Sequence, residues 1–190
     1  MSVLCNKSKC TSVKCERVVI LPLMKNFLHF TPLLDRNVYF IIRRFNHFLI
    51  NDDNLEIACY VGSFGLTKWM IDKNHDLKKN CGFYGACRGG HKDLVLFMID
   101  IGADWYDWGL KGACRGGHKE LVMLMIEKGP KDWNLGLYGT CHGGHEEITT
   151  LMIKKGAKDL GGGIMCAYNS GHQDIITLLI KMGGHKLWIT

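Results

Sequence analysis

Three cysteine–histidine pairs are the residues of this sequence whose types and spacing suggest chemistry. Each cysteine stands four positions before its histidine: Cys87 and His91, Cys114 and His118, Cys141 and His145. Cys-x3-His is compatible with half of a zinc site, or with a thiol nucleophile beside its base. A metal-dependent enzyme that uses these pairs is therefore the alternative function from a catalytic class.

The repetition of these pairs argues against both chemistries. Identical pairs in three places would require three active sites in one short chain. A fourth copy has Tyr168 at the cysteine position and keeps His172, so neither residue type requires the other. The three amino-terminal cysteines at 5, 10 and 15 lack a nearby fourth ligand, and Gly161-Gly162-Gly163 lacks the Lys-Ser/Thr of a phosphate loop. We predict no catalytic residue, no metal and no cofactor, and assign cysteine and histidine to the framework.

The pairs belong to segments that recur every 27 residues. Seven-residue segments starting at Gly85, Gly112 and Gly139 nearly coincide, a fourth copy occupies 166–172, and a weaker copy lies 28 residues upstream of the first. A fixed period of this size predicts stacked supersecondary units. The predicted repeats together span 55–187 and are 55–79, 80–106, 107–133, 134–160 and 161–187, and they follow a non-repeat segment at 1–54.

Each repeat is predicted to contain two short helices. The second helix carries apolar residues along one face, an acidic residue in its first turn and a glycine after its last turn. The first helix is predicted to run roughly from Phe83 to Arg88 and contains glycine. An interior glycine costs about 1 kcal/mol of helix propensity, and close approach of neighbouring helices is the simplest compensation.

The net charge of +6 is confined to the non-repeat segment. Residues 1–50 contain eight Lys or Arg and two acidic residues, whereas the remaining 140 residues contain sixteen of each sign. A basic stripe along the repeats is therefore excluded, and we predict no nucleic-acid partner. No apolar run is long enough to span a membrane, and we expect an intracellular, cytoplasmic protein. Nine cysteines are an odd number, so complete disulfide pairing is impossible.

Three features of each unit resemble the ankyrin repeat: Ala86-Cys87, Gly90-His91 and Gly102-Ala103-Asp104. The resemblance covers about residues 55 to 185. The period is shorter than the family's roughly 33 residues, and Cys81-Gly82 replaces the family's Thr-Pro pair. The missing residues fall where the family has its β-hairpin, so we expect a short loop instead. The resemblance implies an all-α fold: a solenoid of about five stacked helix-turn-helix repeats behind an amino-terminal helical cap.

The resemblance also implies a concave groove that binds partners. Three sets of positions that vary between repeats are the candidate partner-binding residues: Tyr60, Arg88, Arg115, His142 and Asn169 after the cysteine; Tyr84, Lys111 and Tyr138 in the first helix; and Trp105 in a loop. Tyr and Arg are enriched among interface hot spots. The alternative is that these side chains are merely solvated. A second loop series, Tyr106, Trp133 and Leu160, shares one phase and is predicted to cover the core.

The sequence thus predicts a non-catalytic, monomeric protein–protein interaction module whose partner protein it does not identify. The compact repeat also resembles ankyrin-like proteins of giant DNA viruses, which implies a virus–host interaction in the host cytoplasm. Residues 1–54 supply the cap. Ile20-Leu21-Pro22, followed by spaced apolar residues and arginine, weakly resembles an F-box. An adaptor that recruits a groove-bound protein to a ubiquitin ligase is therefore an alternative function.

Overall fold

The computed structural model describes residues 51–75 and 77–184. The predicted helical cap and the F-box-like segment lie outside these residues, apart from 51–54. The described residues form ten α-helices and no strand: α1 Asp52–Tyr60, α2 Phe64–Lys73, α3 Lys79–Gly89, α4 Lys92–Asp100, α5 Tyr106–Gly116, α6 Lys119–Glu127, α7 Trp133–Gly143, α8 Glu146–Lys155, α9 Leu160–Ser170 and α10 Gln173–Lys181. The prediction of an all-α fold is confirmed for this part of the chain.

The odd-numbered helices, which are the first helix of each pair, are longer than the sequence indicated. The prediction of Phe83 to Arg88 was too short, because α3 begins four residues earlier, at Lys79. Cys81-Gly82 has low helix propensity, but Gly82 and Phe83 are both buried, so packing overrides the local preference. From α3 onward these helices end at a glycine in the left-handed conformation, such as Gly90 with φ 81°.

The even-numbered helices follow the predicted amphipathic pattern. In α4 the buried residues are Leu94, Val95 and Met98, and Asp93 lies in the first turn near the positive end of the helix dipole. The glycines predicted after the last turn all have positive φ: Gly102, Gly129, Gly156 and Gly183. Only glycine adopts this conformation without strain, which explains why each second helix ends at the same phase.

The odd-numbered helices pack against one another in chain order, from α1 through α3, α5 and α7 to α9. Glycine permits the close approach. A Cβ at Gly112 of α5 would lie 2.7 Å from the carbonyl oxygen of Tyr84 in α3. Gly85 and Gly139 meet the preceding helix's backbone carbonyls more closely still. The predicted reason for the helical glycines is therefore confirmed at these interfaces.

The loops between pairs are fixed by a side-chain latch that the sequence interpretation missed. The Oδ1 of Asn134 near the start of α7 accepts hydrogen bonds from the backbone N–H groups of Lys158 and Asp159, at 2.8 and 3.0 Å. Asn80 and Asp107 bind the next loop in the same way. These residues stand at one phase of the 27-residue step. The latch organises the loop where an inter-unit hairpin would otherwise lie.

The core runs through all five pairs. It includes the four cysteines that the sequence assigned to small buried positions, all fully buried: Cys59, Cys87, Cys114 and Cys141. Tyr106, Trp133 and Leu160 are partly buried against this core, as predicted for structural cover. None of the helices in the described residues is both long and apolar enough to cross a bilayer.

Candidate functional site

The largest described cavity lies where the odd-numbered helices end. It has a volume of about 660 Å³. Four of the nine candidate residues line it, each from a successive odd-numbered helix: Tyr60, Arg88, Arg115 and His142. Framework residues complete the lining, among them His91, His118 and glycines of the helix ends. We call this surface the terminal groove.

Arg88 is held over an aromatic ring. Its guanidinium carbon lies 4.9 Å from the centre of the Tyr60 ring, which belongs to the preceding odd-numbered helix. This cation–π contact fixes the planar group while leaving its edge available for hydrogen bonds. Arg88 is half-buried and Tyr60 is exposed.

Arg115 is held by polar partners on both sides. One terminal nitrogen donates to the hydroxyl of Tyr84 at 3.3 Å, and the other donates to Nε2 of His142. Three successive odd-numbered helices, α3, α5 and α7, thus contribute to this chain of contacts. Arginine has five N–H donors, so these two bonds do not exhaust its capacity.

The acceptor role of His142 fixes its protonation. Because Nε2 accepts from Arg115, the imidazole is neutral and its proton resides on Nδ1, which donates to Oγ of Ser170 at 2.5 Å. Partial burial lowers the pKa of His142, and the positive charges of Arg115 and Arg88 lower it further. His172 and Lys111 contribute in the same direction.

Lys111 lies beside aromatic rings further back along α5. Its ammonium is 4.5 Å from the centre of the Trp108 ring. Trp108 also meets Tyr84 edge-to-face, with ring centres 6.2 Å apart, and its side chain is 41% exposed. The sequence interpretation did not assign Trp108 to the surface. Its spacing from Lys111, three positions along a helix, is the signal that identifies it.

The remaining candidates lie apart from these contacts. Tyr138 donates to Asp159, the N-cap of α9; burial and this carboxylate raise the pKa of the phenol. Asn169 is exposed on α9. Trp105 is 51% exposed as expected, but it is the N-cap of α5, at the opposite end of that helix from Arg115. The structure therefore places Trp105 away from the terminal groove.

The repeated histidines occupy the framework position expected of them. Each Nε2–H donates to the carbonyl oxygen of a residue in the preceding odd-numbered helix. The four bonds run from His91 to Tyr60 at 3.0 Å, from His118 to Arg88 at 3.0 Å, from His145 to Arg115 at 3.2 Å and from His172 to His142 at 3.2 Å. These rings are therefore engaged in joining neighbouring units.

The cysteines are inert by the same criterion. Burial raises the pKa of the Cys59 thiol to about 11 and that of Cys141 to about 12, and it raises those of Cys87 and Cys114 as well. A nucleophilic cysteine requires a lowered pKa. Within residues 51–75 and 77–184, no three His, Cys, Asp or Glu side chains are grouped as metal ligands.

No protein-family profile matches this sequence, and no curated protein matches it either.

Proposed function

We propose that the chain is a non-catalytic protein-binding module, built as a solenoid of compact ankyrin-like units, and that the terminal groove is its binding surface. The observation that carries this proposal is the alignment of Tyr60, Arg88, Arg115 and His142 along one cavity. These residues share a phase of the repeat but differ in type, whereas the histidines beneath them repeat.

The physical argument is preorganisation. Binding loses free energy when side chains must be ordered, by about 0.5–1.5 kcal/mol for each flexible side chain. In the terminal groove the Tyr60 ring orders Arg88, and Tyr84 and His142 order Arg115. Tyr and Arg are also the residue types most often responsible for interface affinity. A partner that contacts this surface meets groups already in position.

The resemblance to ankyrin repeats supports the same reading. Five helix pairs at a nearly constant step, each ending at a positive-φ glycine, are consistent with a stack that presents one residue per unit to a partner. Proteins of this kind bind through an extended concave face, and the proposed function places the partner there.

Affinity capture with quantitative mass spectrometry tests this function. The bait is the full chain, compared with Arg88→Ala/Arg115→Ala and with the charge-matched control Lys128→Ala/Lys154→Ala, whose side chains are exposed outside the groove lining. We expect a partner that the groove variant loses and the control retains. If every specific partner remains bound to the groove variant at its wild-type level, the terminal groove is not the binding surface.

A further inference from the structure

We propose that the terminal groove recognises an acidic peptide segment of a partner protein, with carboxylates at every third residue. This inference rests on the proposed function and names the chemistry of its partner. It follows from the charge, the aromatic rings and the helix spacing of the described surface.

The cations of this surface have no carboxylate partner in the described residues. Arg88, Lys111 and Arg115 contact aromatic, phenolic or imidazole groups instead. The salt bridges of the described residues lie elsewhere: Lys78–Asp52, Lys92–Glu120 and Lys119–Glu147. No acidic side chain lines the cavity. The groove therefore holds guanidinium groups whose remaining donors suit a carboxylate.

The environment of His142 is an independent measure of the local field. Beyond the effect of burial, cations on three helices and at one N-cap disfavour its charged form: Arg88 of α3, Lys111 and Arg115 of α5, and His172 before α10. A surface that opposes one added positive charge favours an added negative one. Although the repeat region as a whole has balanced charge, this part of its surface is electropositive.

Aromatic rings lie beside each cation. Tyr60 underlies Arg88, Tyr84 binds Arg115, and Trp108 faces Lys111. Grooves lined with aromatic rings bind extended, proline-containing segments in the polyproline II conformation, which loses little entropy on binding. Acidic side chains on such a segment reach the cations while its backbone passes over the rings.

The spacing sets the sequence register of the peptide. Arg88 and Arg115 occupy the same position on α3 and α5, which pack directly against each other, and packed helices are typically separated by about 8–10 Å. A polyproline II helix rises about 3.1 Å per residue with three residues per turn, so every third side chain shares a face at intervals of about 9 Å. Carboxylates three residues apart therefore match successive units.

Fluorescence polarisation with the full chain and dye-labelled peptides tests the proposal. The probe is a peptide of repeated Glu-Pro-Ala units. The comparison peptides replace Glu with Gln, replace Glu with Lys, or keep the composition while clustering the Glu residues. We expect binding of the probe, at least tenfold weaker binding of the Gln peptide and none of the Lys peptide. Binding should weaken as NaCl rises, because salt screens exposed charges.

Variants assign the effect to the groove. Arg88→Gln and Arg115→Gln should each weaken binding of the Glu-Pro-Ala probe about fivefold, as expected for one charge-assisted contact. Arg115→Lys should recover part of the loss, because it keeps the charge but not the planar fork. The control Lys128→Gln/Lys154→Gln should bind as the wild type does, and circular dichroism checks that each variant is folded.

Several results would overturn the proposal. Equal binding of the Gln peptide excludes carboxylate recognition, and equal binding of the clustered peptide excludes the three-residue register. Unchanged affinity in both arginine variants excludes the groove. Tighter binding of a single-stranded RNA of equal charge would show that phosphate is the preferred anion. If capture yields a partner dependent on Arg88 and Arg115 while no acidic peptide binds, the proposed function stands and this inference is wrong.

Discussion

Replacing Gly112 with alanine should destabilise the protein, although alanine is the better helix former. Gly112 is a buried residue of α5. Its missing Cβ would lie 2.7 Å from the carbonyl oxygen of Tyr84 and 3.2 Å from the Cβ of Cys87, both in α3. The nearest obstacle is backbone inside a helix, so no rotamer change relieves it. The two helices must move apart instead.

Two opposing terms set the magnitude. Alanine gains about 1 kcal/mol over glycine in a helix interior. Overpacking a close interface costs about 3 kcal/mol when backbone has to shift. The net loss in the free energy of unfolding is therefore about 2 kcal/mol. For a domain of this size, 1 kcal/mol corresponds to roughly 3 °C, so Tm should fall by about 6 °C.

Gly65→Ala is the matched control. Gly65 is also helical, near the start of α2, but no atom beyond its chain neighbours lies within 4 Å of its missing Cβ. The same chemical change should therefore be neutral or raise the free energy of unfolding, by at most about 1 kcal/mol. Thermal and urea unfolding followed by circular dichroism at 222 nm measures both variants. If Gly112→Ala shifts Tm in the same direction as Gly65→Ala, close helix approach is not the reason for glycine at this phase.

Three further predictions concern the latch, the thiols and His142. Asn134→Ala should lower the free energy of unfolding by about 1 kcal/mol, because two backbone N–H groups lose their acceptor, whereas Asn134→Asp should retain most of it, as Asp107 does naturally; equal urea midpoints for the two variants would contradict the latch. In the folded protein at pH 8, iodoacetamide should label buried Cys87 and Cys114 far more slowly than the half-buried Cys166, as followed by peptide mass spectrometry, with equal labelling in guanidinium; similar native rates would refute this. The pKa of His142 should fall below its usual value near 6.5 and rise in Arg115→Gln, as measured by NMR titration. Because the unfolded state then binds the proton more readily, this residue's contribution should reduce stability as pH falls below about 6.5, and a pKa at or above that value would show that the surrounding cations do not act on it.

The repeat phase allowed much of the framework to be predicted from the sequence. Buried Cys87, the turn at Gly90 and the role of His91 in linking units all follow from recurrence at one position. The early start of α3 did not follow, because residues such as Cys81-Gly82 have poor local propensity and become helical through burial. Long-range packing therefore decided what the local sequence left open.

The surface contacts were harder to predict because they join different repeats. Arg88 was singled out for its type, but its pairing with Tyr60 depends on how closely α1 and α3 pack. The Asx latch had a visible signal, since Asn80, Asp107 and Asn134 recur in phase, yet the acceptor role of these side chains depends on where the following loop returns. Trp105 shows the converse error, because exposure alone did not place it in the groove.

The histidine bonds explain how one framework can present different groove residues. Each histidine binds the backbone carbonyl of a groove residue, as His118 does for Arg88 and His145 for Arg115. A bond to the carbonyl does not depend on that residue's side chain, so Tyr, Arg and His occupy equivalent positions without loss of the link between units. Substitution of Arg88 or Arg115 should therefore alter binding while leaving the stack intact, whereas substitution of His118 should weaken the stack. This separation is what allows the groove variants to report on recognition rather than on folding.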